Sequence, residues 1–420
     1  MSPKLVFVES NTTGTGLLAL SKAREMGLTP IFLTNNPQRY PGLEQQPCRV
    51  IICDTNSGER LQETIDVLDP DSICGITTTS EFYLVNVAQL TQLHGLPGNP
   101  AQAVARCRNK AAMRHYLAAV GMQQPAFVEV RRLSDLDTAI EQVGLPCVAK
   151  PVDDTASNAV RFCASRQDVE EQVSSILSLT RNIRGQRTAQ AALLEAFIDA
   201  AEYSVETFSW QGHTTCLGIT EKHLTAFPYF VEERHFFPAA LSPASEQEMR
   251  NTVLQALEAL GIAHGPAHTE VKLTTHGCQI IEINARLAGG MIPELIRYTS
   301  GIDLIEQQIK AVTGHEPDLN LRAQGCAGIQ FLVSREQGWT KNIEGLSVAR
   351  AVNGIKQITL TSAPGKQVNP PRSAYDRLGY IIAHTASYEQ TTCALQTASS
   401  QIHLAVRNDS GNRVVEEFHV

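Results

Sequence analysis

No apolar run in this 420-residue chain approaches the roughly 20 residues that a membrane-spanning helix needs. The N-terminal MSPKLVFVESN has only four consecutive apolar residues, Leu5 to Val8, and nothing resembling a cleavage segment, so a cytoplasmic protein with no membrane partner is expected. Positive charge is also in short supply. Lys and Arg number 35 against 43 Asp and Glu, a net −8, and phosphate neutralisation needs clustered positive charge, so nucleic acid is not an expected partner. Ten cysteines are present, yet none forms Cys-x-x-Cys, and many sit inside apolar runs such as VIICD and LPCVAK. Reduced core cysteines fit that scatter better than a disulfide framework or a zinc site. The chain shows no internal repeat and no low-complexity segment, and its length predicts two or three domains with ample core.

The first hundred residues alternate strand and helix signals. KLVFVES, IFLTNN, VIICD and SICGITT read as strands, while LLALSKAREMG and the stretch 58–68 read as helices. Strands separated by helices predict a parallel sheet, with a ligand face at the strand ends, near 10–16 and 77–81. LPGNP at 96–100 marks a first boundary. Beyond it the pattern predicts one helical stretch ending at Gly121, two strands around a polar loop over 145–165, and a polar helix near 167–180. A loop is expected over 226–239, a helix over 251–261, and a small mixed unit over the last hundred residues. The boundaries that result are an N-terminal α/β domain at 1–100, a central unit at 101–320 with a lid at about 122–205, and a C-terminal α+β subdomain at 321–420.

Residues 269–290, TEVKLTTHGCQIIEINARLAGG, carry the chemistry. Two strand-like runs flank Thr275-His276-Gly277, which fits a three-residue hairpin loop with glycine last, where a left-handed backbone is needed. A turn centred on His276 sets Glu270 directly opposite Glu282, with Asn284 on the same face. Opposed carboxylates repel unless something positive lies between them, and three oxygen-bearing side chains suit Mg²⁺. On spacing alone, a hairpin with both glutamates in solvent explains the pattern equally well. The apolar strand CQIIEIN favours burial, because a buried carboxylate needs a partner. Arg286 could stabilise charge near the metal or form a structural ion pair. His264 and His268 are four apart, but Gly265-Pro266 between them breaks any helix and with it the zinc reading. His268 is expected on the substrate side of the metal glutamate.

These residues resemble the ATP-grasp superfamily over most of the chain, and within it the L-amino acid ligases. The resemblance implies an α/β ATP-grasp fold with an N-terminal parallel domain and a small C-terminal subdomain. It implies ATP as substrate and Mg²⁺, or Mn²⁺ as substitute, held by Glu270, Glu282 and Asn284. Lys110 in CRNKAAMR and Lys150 in CVAKPV match the nucleotide lysines. Glu195, the backbone of Ala196, Phe197 and Ile198, and Glu202 match the adenine and ribose segment. The loop after Lys150 is usually glycine-rich; here 152–160 has no glycine, so a stiffer lid is expected, with Ser157 among its donors. Arg286 and His268 are implied at the reacting centre. Glu81, Glu232, His235, Arg286 and Gly289 are implied at the substrate, and SAYDRLGY at 373–380 resembles the closing subdomain.

The activity implied is ATP-dependent amide formation between small molecules through an acyl phosphate, by a protein of a superfamily in which homodimers are common. Alternatives are a bicarbonate-activating carboxylase, a non-catalytic nucleotide sensor, and a dinucleotide-binding oxidoreductase suggested by TTGTGLLA at 12–19. That last fingerprint is incomplete, since Ala19 stands where a third glycine belongs.

Overall fold

The computed structural model describes residues 2–12, 16–322, 324–407 and 413–417. Of the TTGTGLLA stretch, residues 13–15 lie outside the described residues. Four strands, Lys4–Val8, Thr29–Thr34, Arg49–Ile52 and Ile73–Thr77, make the predicted parallel sheet, with Lys4–Val8 between Thr29–Thr34 and Ile73–Thr77. Helices Leu18–Glu25 and Gly58–Asp66 cross between them. At the strand ends Glu9, Ser10 and the run Thr77–Glu81 are all buried, where the switch-point rule put the ligand face.

Two antiparallel sheets follow. The smaller, the lid, pairs Phe127–Val130, Ala192–Ala196, Cys147–Pro151 and Arg161–Cys163 in that spatial order, and helices Leu136–Val143 and Arg166–Ser178 cover one face through Leu136, Ala139, Val169 and Val173. The larger has eight strands, in the order Gly277–Asn284, Gly265–Thr274, Glu202–Trp210, His213–Leu224, Glu232–Phe237, Cys326–Leu332, Gly379–Thr385 and Ile355–Leu360. Strands from beyond residue 320 therefore extend the same sheet that carries the glutamate hairpin. Helix Pro243–Leu260 packs beneath that hairpin. Its Met249, Val253, Ala256, Leu257 and Leu260 recur with a helical period and meet Val271, Ile280 and Ile283.

Three expectations are corrected. The stretch after LPGNP is two helices, Ala101–Arg108 and Lys110–Ala119. Asn109 breaks it, with φ −103° and ψ 108°, and its side chain caps the second helix by accepting from Ala112 N–H at 2.9 Å. The aromatic segment 226–239 is only partly loop: Glu232–Phe237 is a strand in the middle of the large sheet, with Phe236 and Phe237 in the core. A central strand buried on one face need not alternate visibly when its other face lines a cavity.

The third correction concerns the hairpin. Thr274 pairs with Gly277, so the turn holds two residues rather than three, although Gly277 does take positive φ, at +115°. The pairs Leu273↔Cys278, Lys272↔Gln279 and Val271↔Ile280 continue that register; a bulge then shifts it by one, and Glu270 pairs with Glu282 and His268 with Asn284. The expected facing of the two glutamates is present, produced by the bulge and not by the turn.

Candidate active site

Register across the large sheet stacks the polar residues in rows two apart, and hence on one face. One row joins His235, Lys222, Glu202 and Lys272; the next joins Thr220, Ser204, Glu270 and Glu282; the next joins Gly218, Glu206, His268 and Asn284. Intervening residues such as Val205, Ile219, Val271 and Ile283 point into the core. The polar rows floor a cavity of about 600 Å³. Its roof is the lid, through Val148, Lys150 and Phe197, and its end wall is the N-terminal sheet, through Asn11, Glu81 and Phe82.

The glutamates on this face are held by long cations. Lys222 Nζ lies 2.6 Å from Glu270 Oε1, 3.0 Å from Glu202 and 3.6 Å from Glu232. Lys110 Nζ lies 2.9 Å from Glu282 Oε2, while Asn284 Nδ2 donates to Glu282 Oε1 at 2.8 Å. Burial works against charge on Glu270, yet Lys222 and His268 hold it well below the usual carboxylate range. Burial likewise opposes charge on Glu282, and Lys110 lowers it. Three carboxylates raise Lys222 well above a free lysine despite burial. Among the described residues no trio of His, Cys, Asp or Glu forms a metal cage. The candidate set is two ionised carboxylates and one amide, a donor set that fits Mg²⁺, which keeps positions for water and phosphate.

His268 sits between two carboxylates: Nδ1 is 2.9 Å from Glu206 Oε1, and Nε2 is 3.3 Å from Glu270 Oε1. Burial disfavours its charge, but Glu206 and Glu270 raise it to about 9. It is therefore an imidazolium at neutral pH, a donor and not a base.

Within the lid, Lys150 Nζ lies 2.5 Å from Glu195 Oε2, and Arg114 Nε donates to Glu195 Oε1 at 2.6 Å. Burial raises Glu195, but these two cations bring it to about 2. Nearby, Ala196 N–H donates to Ala126 O and Phe197 N–H to Pro146 O. Lys272 donates to Ile198 O at 3.0 Å. Lys110 is fixed at both ends, its N–H donating to Val152 O and its Nζ to Asp154 O, each at 2.8 Å.

The glycine-free loop bends as a glycine loop would. Ala156, Ser157 and Ala159 have φ of 62°, 54° and 55°, the left-handed region that costs an L-residue about 1 kcal/mol. Asp154 holds the bend by accepting from Thr155 N–H at 2.9 Å and Asn158 Nδ2 at 2.8 Å, and Ala374 N–H of the closing segment donates to Ala156 O at 3.1 Å.

Elsewhere on the cavity wall Arg286 pairs with Glu81. Arg377 Nη2 lies 2.5 Å from Glu232, and its guanidinium lies 3.6 Å from the centre of the Phe331 ring. Burial opposes charge on Glu232, but Arg377 and Lys222 bring it to about 2. Burial drops His235 to about 3, so it is neutral. Its Nδ1 has no partner among the described residues. Glycine matters beside it at Gly290, not Gly289. A Cβ on Gly290 would come 2.9 Å from His235 Nε2, whereas one on Gly289 would meet nothing within 4 Å.

The seventeen candidate site residues named from the sequence thus border one cavity; His264, set aside there, does not. Charged residues of that neighbourhood that were not singled out include Arg114, Asp154, Glu206, Lys222, Lys272 and Arg377. Glu206 and Lys222 carried a usable signal, each being charged within a strand of otherwise buried character, SVETF and GITEKHL. Arg114 and Arg377 lie inside quoted motifs without a spacing that gives them a role.

The sequence matches the ATP-grasp domain over residues 143–294 and the L-amino acid ligase C-terminal domain 2 over residues 330–407. The chain carries an ATP-grasp domain. An uncharacterized protein of Sinorhizobium fredii is 28% identical over 407 residues, covering 97% of this chain and 84% of that one. The alanine–anticapsin ligase of Bacillus amyloliquefaciens is 25% identical over 278 residues, covering 62% of this chain; the match spans 58% of that protein's length. The crystal structure of an L-amino acid ligase from Bacillus licheniformis superposes with a TM-score of 0.82 at 24% identity, covering 97% of this chain and 99% of that one, and shares the fold. Among the described residues no helix is long and apolar enough to cross a membrane.

Proposed function

We propose that this ADP-forming ligase joins the carboxylate of an amino acid, or of a similar small acid, to an amine. The observation that carries the reading is the floor of the cavity, where opposed Glu270 and Glu282 with Asn284 lie beneath a lid lysine and beside the Arg286–Glu81 pair. Glu270, Glu282 and Asn284 would hold Mg²⁺, or Mn²⁺ in its place; the metal supplies charge neutralisation on the phosphates of ATP.

The other roles belong to the chain. Lys150 is aimed by Glu195 at the phosphates, and Lys110 and Lys222 are ready to pass from carboxylate to phosphate. Ser157 in the bent loop covers them. Glu195 acts through Lys150, so the adenine edge falls to backbone groups of Ala196, Phe197 and Ile198, of which Ile198 N–H is not spent on a neighbour among the described residues. Glu202 takes the ribose hydroxyls. The substrate carboxylate attacks the γ-phosphorus, ADP leaves, and the amine then displaces phosphate from the acyl phosphate. Arg286 and protonated His268 stabilise oxygen charge at that centre. Glu81, Glu232 and neutral His235 line the amino-group side, with Gly289 a backbone donor.

The carboxylase reading is not favoured: the C-terminal match is to amino acid ligases, and the paired Phe331 and Tyr380 give the cavity an apolar lining that bicarbonate has no use for. The test is phosphate release from Mg-ATP with pooled L-amino acids, then with halves of the pool, with Glu282→Gln alongside and mass spectrometry on active wells. Phosphate with an amide product, both absent in the variant, is the expected result. ATP binding without turnover across the pool would defeat the amino-acid reading.

A further inference from the structure

Arg114 is fully buried in helix Lys110–Ala119, four residues past Lys110. Its Nε donates to Glu195 Oε1 at 2.6 Å; Nη1 donates to Gln124 Oε1 at 2.9 Å and Ile280 O at 2.5 Å; Nη2 donates to Ile281 O at 3.0 Å. A guanidinium is planar and always charged, and its five donors are fixed relative to one another, so these acceptors are fixed relative to one another too. Ile280 and Ile281 are the residues at the hairpin bulge.

That bulge decides whether the two glutamates meet. From the turn to Val271↔Ile280, partner numbers sum to 551; beyond the bulge, Glu270↔Glu282 and His268↔Asn284 sum to 552. A ladder continued in its first register would set Ile281 opposite Glu270. It would also turn Glu282 and Asn284 toward the core, since a one-residue slip exchanges the two faces of a strand. The hairpin thus has a competing regular register without a paired carboxylate site, and Arg114 bonds the carbonyls at the point of choice.

We infer that Arg114 is a positioning residue that holds the bulge, setting Glu282 opposite Glu270, and at the same time fixes Lys150 through Glu195. One side chain then couples the metal hairpin to the nucleotide lysine of the lid. The inference rests on the reading of Glu270, Glu282 and Asn284 as metal ligands. It goes beyond that reading by naming what makes their geometry.

Binding measurements test it without turnover. Mn²⁺ affinity is read by electron paramagnetic resonance in the presence of ADP, and ADP affinity is read by calorimetry without metal, on the full chain. Arg114→Met, with folding checked by circular dichroism, is expected to weaken both by tenfold or more. Deleting Ile281 in that variant removes the extra residue, so the regular ladder itself brings Glu282 opposite Glu270. Mn²⁺ affinity should return to within about threefold of wild type, while metal-free ADP binding stays weak because Glu195 still lacks its second cation. Arg114→Lys serves if the methionine variant does not fold: an ammonium can face Glu195 but cannot also span both carbonyls, so Mn²⁺ affinity should fall while ADP affinity largely holds. Unchanged Mn²⁺ affinity in a folded Arg114 variant, or no recovery on deletion, overturns the inference. Wild-type protein that binds ADP but no Mn²⁺ would instead overturn the metal reading on which it rests.

Discussion

Two buried carboxylate clusters lie on neighbouring walls of the molecule, and they are built differently. Glu9, at the end of the first parallel strand, is fully buried and takes a left-handed φ of 55°. It accepts from Thr55 Oγ1 at 2.7 Å, Asn35 N–H at 2.8 Å, Thr34 Oγ1 at 3.0 Å and the Tyr40 hydroxyl, with Arg39 at 3.4 Å. Most of those donors are neutral and sit in or just beyond the ends of the parallel strands. The hairpin glutamates are satisfied instead by cations, Lys222 and Lys110 from other elements and His268 from Glu270's own strand, and they face each other directly. A carboxylate saturated by rigid neutral donors has no lone pair to offer, and such a cluster is structural. Carboxylates held by cations and facing each other keep oxygens and charge that a metal ion could take up, and that arrangement is the one we propose as the metal site.

Exchanging the amide for the acid in each cluster should separate the two roles. Glu282→Gln removes a proposed metal ligand, and kcat for phosphate release should fall about a thousandfold, as when a preorganised charge at a reacting centre is lost. Thermal stability should move little. A Glu282→Gln enzyme of normal turnover would put Glu282 in the same class as Glu9.

Glu9→Gln should do the converse. Several buried donors lose a charged acceptor, and stability should drop by about 3 kcal/mol, read as a lower urea midpoint at unchanged slope. kcat and KM of the folded fraction should stay within about twofold of wild type. Loss of turnover at full stability would instead show that the end of the parallel sheet takes part in the chemistry.

Much of this division is written in the sequence, and the remainder has an identifiable physical reason for being hidden. Glu270, Glu282 and Asn284 are legible because a hairpin converts spacing into facing by simple arithmetic. The same arithmetic assumed the wrong turn and still reached the right pair, since a bulge of one residue offset an error of one residue. Bulges leave no mark in an apolar run such as QIIEI, because Ile280 and Ile281 are identical. The 232–237 strand was hidden because a strand with a core on one side and a polar cavity on the other shows Glu, Arg and His where alternation would show solvent residues. Arg114 was hidden because its partner Glu195 is 81 residues away in sequence; Lys222 showed as a charge within a strand, but only the register of the folded sheet brings it to Glu270, 48 residues away. The parallel sheet was legible in full, being set by local runs of apolar residues and the helices between them.

Glu195 belongs to neither class, and its acid titration sharpens the contrast. Like the hairpin glutamates it is held by cations, Arg114 and Lys150; unlike theirs, one of its cations, Arg114, is itself locked by Gln124 and two backbone carbonyls. Its carboxyl is lowered from 4.5 to about 2 in the folded protein, the two cations outweighing the effect of burial. A depressed folded value means that the group stabilises the fold fully above its unfolded value, and that this stability is lost as pH falls toward the folded one. Between pH 6 and pH 3 the loss should be about 2 kcal/mol, with roughly a further 1 below that. Glu195→Gln is less stable at neutral pH, because Arg114 and Lys150 are left facing an amide. Its unfolding free energy should nevertheless fall less steeply than that of wild type between pH 4.5 and pH 3. Parallel acid limbs would mean that the two cations do not depress Glu195, and that Lys150 is aimed by something other than this carboxylate.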